Sequence, residues 1–125
     1  MKNKILNVLS VIVALLFLNA GLNKIFQYIP VPEGLPEAVV RHDAAIAEIK
    51  WLLPLVAVVE IVGGVLLVLR KTRALGAIVL LPIMVGVLVF HITVYPEGLL
   101  MAGLMAIVLG WIMIENKGKY LQLID

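Results

Sequence analysis

The stretch "ILNVLSVIVALLFLNAGLNKIFQYI", residues 5–29, is apolar for long enough to cross a bilayer, yet its last third carries Asn19, Asn23, Lys24 and Gln27 before the chain meets Pro30. A hydrocarbon core about 30 Å thick requires about 20 helical residues. The run is continuous rather than alternating, so it reads as a helix and not as a barrel strand. A cleaved leader is the competing reading, with "MKNK" in front and Ala20-Gly21 behind. Leu18 would then occupy the minus-three position, where a small residue belongs, so the block is expected to be a retained transmembrane helix.

Three more blocks follow at Trp51–Leu69, Ala74–Val94 and Leu99–Ile114. The whole chain, 125 residues, is 63% hydrophobic and only 14% charged, with a mean hydropathy of +1.14. A soluble domain averages about 45–50% apolar and about 25% charged residues. A chain this short cannot hide so much apolar surface in a water-facing globule, which makes the lipid bilayer its first partner. There is no cysteine, which excludes thiol–disulfide chemistry, thiolate metal sites and thioether-linked haem. The net charge of +2 forms no basic stripe, and nucleic acid is not an expected partner.

The expected fold class is all-α: an integral membrane antiparallel four-helix bundle, one domain over residues 1–125, with transmembrane helices at about 5–29, 51–69, 74–94 and 99–114. The links "RKTR" (70–73) and "YPEG" (95–98) are short and force antiparallel neighbours. The outer loop, residues 30–50, is longer. Leu35, Val39, Ile46 and Ile49 recur there at helical spacing after Pro36, which predicts a short amphipathic helix between the first two transmembrane helices. Glycines at 63, 64, 76, 86, 103 and 110 are expected to let backbones approach closely, and Pro82 to kink the third helix.

Basic residues set the orientation. Lys2, Lys4, Arg70, Lys71, Arg73, Lys117 and Lys119 fall on one side, while the other has Arg41 and Lys50 against Glu33, Glu37, Asp43, Glu48 and Glu97. By the positive-inside rule, both termini are cytoplasmic in a multi-pass protein of the cell inner membrane. Tyr28, Trp51 and Tyr95 mark the outer interface, and Trp111 and Tyr120 the inner one.

With directions assigned, polar residues acquire depths. At 1.5 Å per residue, Lys24 lies about 7 Å below the outer end of its helix and Asn19 about 15 Å below. Glu60 lies about 13 Å down the second helix, and His91 about 6 Å down the third. Asn19, Asn23 and Gln27 form a stripe at i, i+4 and i+8. Glu60 shares its face with Gly63 and Gly64. A carboxylate at mid-membrane costs at least about 2.5–3.5 kcal/mol, so Glu60 must pair with a cation, for which Lys24 is nearest, or be protonated. Plainer readings exist for each residue alone: Lys24 as a snorkelling lysine, His91 as a boundary residue, the asparagines as interhelical bonds. Their convergence points instead to a polar pocket open to the outer side. Its expected ligand-binding residues are Asn19, Asn23, Lys24, Gln27, Glu60 and His91, with Glu60 and His91 the candidates for acid–base catalysis. No metal is expected, since Glu60 and His91 are two ligands at unequal depths and His42 is in the loop. No phosphate-binding glycine loop and no HExxH is present.

These residues carry a family resemblance. "FLNAGLNKIF" (17–26), "VEIVGGVLLVL" (59–69) and the late histidine of "VLVFHI" (87–92) resemble the DoxX family of small four-helix membrane proteins. The resemblance implies characteristic positions at Gly21, Lys24, Glu60, Gly64 and His91. It also implies a setting such as quinone-linked oxidation, a redox-enzyme assembly or membrane chaperoning. On this reading the chain is an accessory module or subunit that binds a lipophilic small molecule, a quinone or another lipophilic ligand, with electrons supplied by a redox partner protein. An acid–base enzyme acting on a membrane-soluble substrate and a chaperone-like scaffold are the alternatives. A homo-oligomer through the small-residue seam Gly103, Ala106 and Gly110 is compatible with all three.

Overall fold

The computed structural model describes residues 2–124. Met1 and Asp125, the ends of the expected unit, lie outside the described residues, as does the side chain of Lys2 counted above for orientation. In chain order the helices are α1 (Lys2–Phe26), α2 (Glu37–Glu48), α3 (Leu52–Val68), α4 (Arg73–Thr93), α5 (Leu99–Glu115) and the short α6 (Lys117–Leu121). Single 3₁₀ turns occupy Pro96–Gly98 and Gln122–Ile124, and no strand occurs among the described residues. The fold is all-α.

Three segments are long and apolar enough to cross a membrane: Asn3–Phe26, Arg73–Thr93 and Pro96–Glu115. α3, at 17 residues, joins α2 across a 95° bend and makes the fourth candidate. α1 packs on α3, α3 on α4, α4 on α5, and α5 returns to α1, closing a four-helix ring. The ring has a termini end, holding the start of α1 and the turn between α3 and α4, and a loop end, holding α2 and the Pro96–Gly98 turn. The interior is filled by Phe17, Leu67, Leu80, Met84, Leu109 and Ile112. Equally apolar residues, among them Ile12, Leu15, Val58, Val62, Val65, Val85, Val89 and Ile107, face outward at spacings of three and four. Such a surface suits lipid, and where lipid is as apolar as Leu, close packing rather than water exclusion holds helices together.

Four glycines do that packing. A Cβ at Gly21 would lie 2.8 Å from the Ala57 carbonyl oxygen, and one at Gly64 would lie 3.1 Å from the Ala14 carbonyl oxygen, so both draw α1 onto α3. A Cβ at Gly76 would lie 2.7 Å from the Leu67 nitrogen, and one at Gly63 would run into the Leu80 side chain, so these draw α3 onto α4. Gly86, Gly103 and Gly110 behave otherwise: a Cβ at any of them meets nothing within 4 Å. The close approach expected at these three does not occur within the chain.

Side chains close the C-terminal ends of α3 and α5, whose last carbonyls have no partner within the helix. At the end of α3, Thr72 Oγ1 donates to Leu66 O (2.7 Å), Arg73 Nε to Leu67 O (2.8 Å) and Arg73 Nη2 to Val68 O (2.9 Å). At the end of α5, Asn116 Nδ2 donates to Ile112 O (2.7 Å). α1 stops at Phe26 because Gln27 takes a left-handed conformation (φ 51°), its N–H reaching Asn23 O at 2.7 Å. α2 forms where the spacing places it, with Pro36 immediately before its first turn and Val39 buried. Ile49, expected on its apolar stripe, lies past the helix end and is exposed.

Candidate functional site

Gly21 sets the geometry. Its missing Cβ lets α1 rest on the backbone of α3 beside Ala57 and Glu60. Lys24, three residues further along α1, is on the same face. Its Nζ lies 2.7 Å from Glu60 Oε1. The Glu60 side chain is 4% exposed and that of Lys24 28%, so the carboxylate is inside the protein while the ammonium spans interior and surface. Oε1 is close to the ammonium in distance but off the alignment of a hydrogen bond. The pair is held by charge, and Glu60 keeps acceptor capacity for a further donor. The structure has the pairing of Glu60 with Lys24 that the depth count anticipates.

The pair sits at the floor of a cleft of about 570 Å³ at the loop end, between α3, α4 and the overlying α2. Leu52, Leu53, Val56, Ile83, Val87 and Phe90 make its walls apolar. Pro82 and Gly86, both exposed on α4, form part of the lining. Pro82 removes the N–H that would bond the carbonyl one turn earlier, and Gly86 removes a side chain where nothing else would fill the space. α2 contributes His42, Asp43 and Ile46. The His42 ring lies 4.4 Å from that of Phe90, and its Nδ1 is 3.3 Å from Asp43 Oδ1. On the other side of Lys24 is a second cleft of about 560 Å³, lined by Asn23, Gln27, Asp43 and the Ile29–Val31 segment. Lys24 borders both.

His91 lines the first cleft and bonds neither Lys24 nor Glu60. Its Nδ1 is 2.8 Å from Val87 O; a carbonyl only accepts, so Nδ1 carries a hydrogen. The ring packs against Gly98, where a Cβ would collide with it. Phe90 meets it edge-on at 5.1 Å.

The asparagine stripe has a different task from the one its spacing suggests. Asn19 is exposed and lines neither cleft. Its carbonyl accepts from the Tyr28 hydroxyl at 3.0 Å, and its side-chain oxygen accepts from the same hydroxyl. Asn23 Oδ1 accepts from the Ile29 N–H at 2.9 Å. Together they fold the chain back after α1. Gln27 is the left-handed residue of that turn and borders the second cleft. The structure thus brings Lys24, Glu60 and His91 to one cleft, Asn23 and Gln27 to its neighbour, and Asn19 to neither. Gly86, Phe90, His42 and Asp43 are lining residues that the sequence reading did not assign. The clue for Gly86 was a glycine in an apolar span, indistinguishable there from a packing glycine.

A ring of apolar helices whose outward faces are apolar defines an integral membrane helical bundle. The DoxX family model matches residues 5–93, from the first turn of α1 to the end of α4, and the chain belongs to the DoxX family. No curated protein and no solved structure matches the chain.

Proposed function

We propose that this DoxX protein holds a lipophilic small molecule in the cleft between α2, α3 and α4, as an accessory subunit of a membrane redox system. The observation that carries the reading is the join of an apolar cleft to the Lys24–Glu60 pair, beside a glycine that packs nothing. A ligand entering from the bilayer past Gly86 lays its apolar body along Val56, Ile83 and Val87 and brings a polar head to the pair. Lys24 donates to a carbonyl on that head and Glu60 accepts from a hydroxyl, while the His91 ring lines the same cleft. A quinone, whose two redox forms carry a carbonyl and a hydroxyl at one position, matches this donor and acceptor set. The chain supplies no electron carrier in this reading, so a partner protein does. Both termini are cytoplasmic, in the inner membrane, which turns the cleft to the outer leaflet.

The test is native mass spectrometry of the protein in mild detergent, comparing wild type with Gly86→Leu and Glu60→Gln. A Cβ at Gly86 meets no atom within 4 Å, so Gly86→Leu is expected to enter the cleft, leave the protein folded and displace its bound molecule. Glu60→Gln is expected to weaken retention. A wild type that carries no molecule in the cleft, with or without added ubiquinone, would move the assignment to a scaffold.

A further inference from the structure

At the opposite end of the bundle lies a polar pocket of about 290 Å³ that the reading above does not use. Asn3, Leu6 and Asn7 of α1, Arg70 of the α3–α4 turn, Arg73, Glu115 and Asn116 line it. We infer that this pocket binds a phosphate group, with an acidic phospholipid headgroup as its source.

Charge carries the argument. Among the described residues, neither Arg70 nor Arg73 has a carboxylate within ion-pair distance. Glu115, in the same pocket, bonds the Trp111 indole N–H at 3.3 Å. Arg73 is only 7% exposed. A guanidinium so deeply placed is costly without an anion. Carbonyl oxygens of Leu67 and Val68 take Nε and one Nη2 hydrogen, and the negative end of α3 offsets part of the charge. Guanidinium has five N–H groups, so three of Arg73's remain beyond those two bonds. Arg70 Nε is fixed by Asn7 Oδ1 at 3.2 Å, which turns the planar fork of a second arginine to the same pocket. Two arginine forks beside amide groups are the donor set that phosphate oxygens match.

Position names the source. The pocket opens where α1 begins and α5 ends, at headgroup level for a bundle of this length, with Lys4, Lys71, Lys117 and Lys119 exposed at the same end. Basic pockets between transmembrane helices at that level receive acidic headgroups. Trp111 and the Tyr120 hydroxyl, bonded to Ala74 O at 2.7 Å, place aromatic side chains at the same interface.

The test reconstitutes the full chain in nanodiscs of mixed phosphatidylglycerol and phosphatidylcholine and counts retained lipid by native mass spectrometry after release. Arg70 is exposed and closes no helix end, so Arg70→Gln preserves the fold, whereas Arg73 variants also uncap α3. Wild type is expected to prefer phosphatidylglycerol, and Arg70→Gln to lower that preference about fivefold, the effect of one cation near an acidic headgroup. Lys117→Gln, outside the pocket, is expected to leave it unchanged. A parallel arm titrates inorganic phosphate and reads thermal stability. Stabilisation of wild type by phosphate but not of Arg70→Gln, without lipid preference, supports a phosphate site filled from water. No preference and no stabilisation, or equal losses in Arg70→Gln and Lys117→Gln, would overturn the inference.

Discussion

At the loop end, a buried carboxylate is matched by an ammonium at 2.7 Å beside a cleft of about 570 Å³. At the termini end, a buried guanidinium is matched by two backbone carbonyls and closes a helix. The same difficulty, an ionisable group inside an apolar protein, is met once by charge on charge and once by charge on dipole. The difference teaches what each end is free to do. Arg73 supports the end of α3, so its removal damages architecture. Lys24 and Glu60 cap nothing, and the structure around them leaves space rather than filling it.

The largest expected effect tests the charge pair. Lys24→Met leaves Glu60 buried without a counter-charge, and the loss is expected to be about 3–5 kcal/mol. Adding Glu60→Gln to that variant removes the stranded charge and is expected to restore most of the stability. Chemical unfolding in detergent reads both; a double variant no more stable than Lys24→Met would show that the pair is not the unit described.

Next in size is Arg73→Met, which deletes two charge-assisted hydrogen bonds to the end of α3. Bonds of this type contribute about 1.5–3 kcal/mol each, and the offsetting loss of a buried charge brings the expected cost to the value of about one bond. Hydrogen exchange should rise in Leu69–Thr72 and the last turn of α3 while the α1–α3 contact at Gly21 stays protected. Exchange rising equally at both ends would erase the contrast between them.

The glycines divide the same way. Gly21→Ala sets a Cβ 2.8 Å from the Ala57 carbonyl oxygen and is expected to cost about 1–3 kcal/mol by forcing α1 from α3. Gly86→Ala meets no atom and is expected to be neutral or to stabilise by up to about 1 kcal/mol through helix propensity. Thermal melts of the two variants side by side measure the sign of each.

The smallest effect belongs to Tyr120, whose bond to Ala74 O ties α6 to the bundle. Burial raises the pKa of its phenol above the ordinary 10.0. The folded state then holds the proton where the unfolded chain releases it, so this contribution is complete below pH about 10 and falls as pH rises beyond it. Tyr120→Phe is expected to cost about 1 kcal/mol at neutral pH and to flatten that alkaline decline. A pH series of melting temperatures compares the two.

Much of the molecule is legible along the chain. Apolar runs of bilayer length dictate helices because a backbone without water must satisfy itself, and that requirement is local. The spacing after Pro36 gives α2 for the same reason. Glu60 stands out because a carboxyl in such a run has no cheap local solution, and counting residues from each turn brings it towards Lys24. The Asn19, Asn23 and Gln27 stripe is equally visible, yet its purpose is not. Asn19 and Asn23 turn inward or back on the chain according to where Tyr28 and Ile29 fold, and Gln27 becomes a hinge by adopting φ 51°.

By itself, then, the sequence determined the five longer helices but not α6, their alternating direction and the presence of ionisable groups within apolar spans, all of which follow from length, periodicity and the cost of burying polar atoms. Only the tertiary structure decided that Gly21 and Gly76 press on backbone while Gly86 borders empty space, and that Arg73 closes α3. A glycine is the same missing Cβ in every sequence. Whether that absence brings two helices together or opens a cleft depends on what the other helices place opposite it.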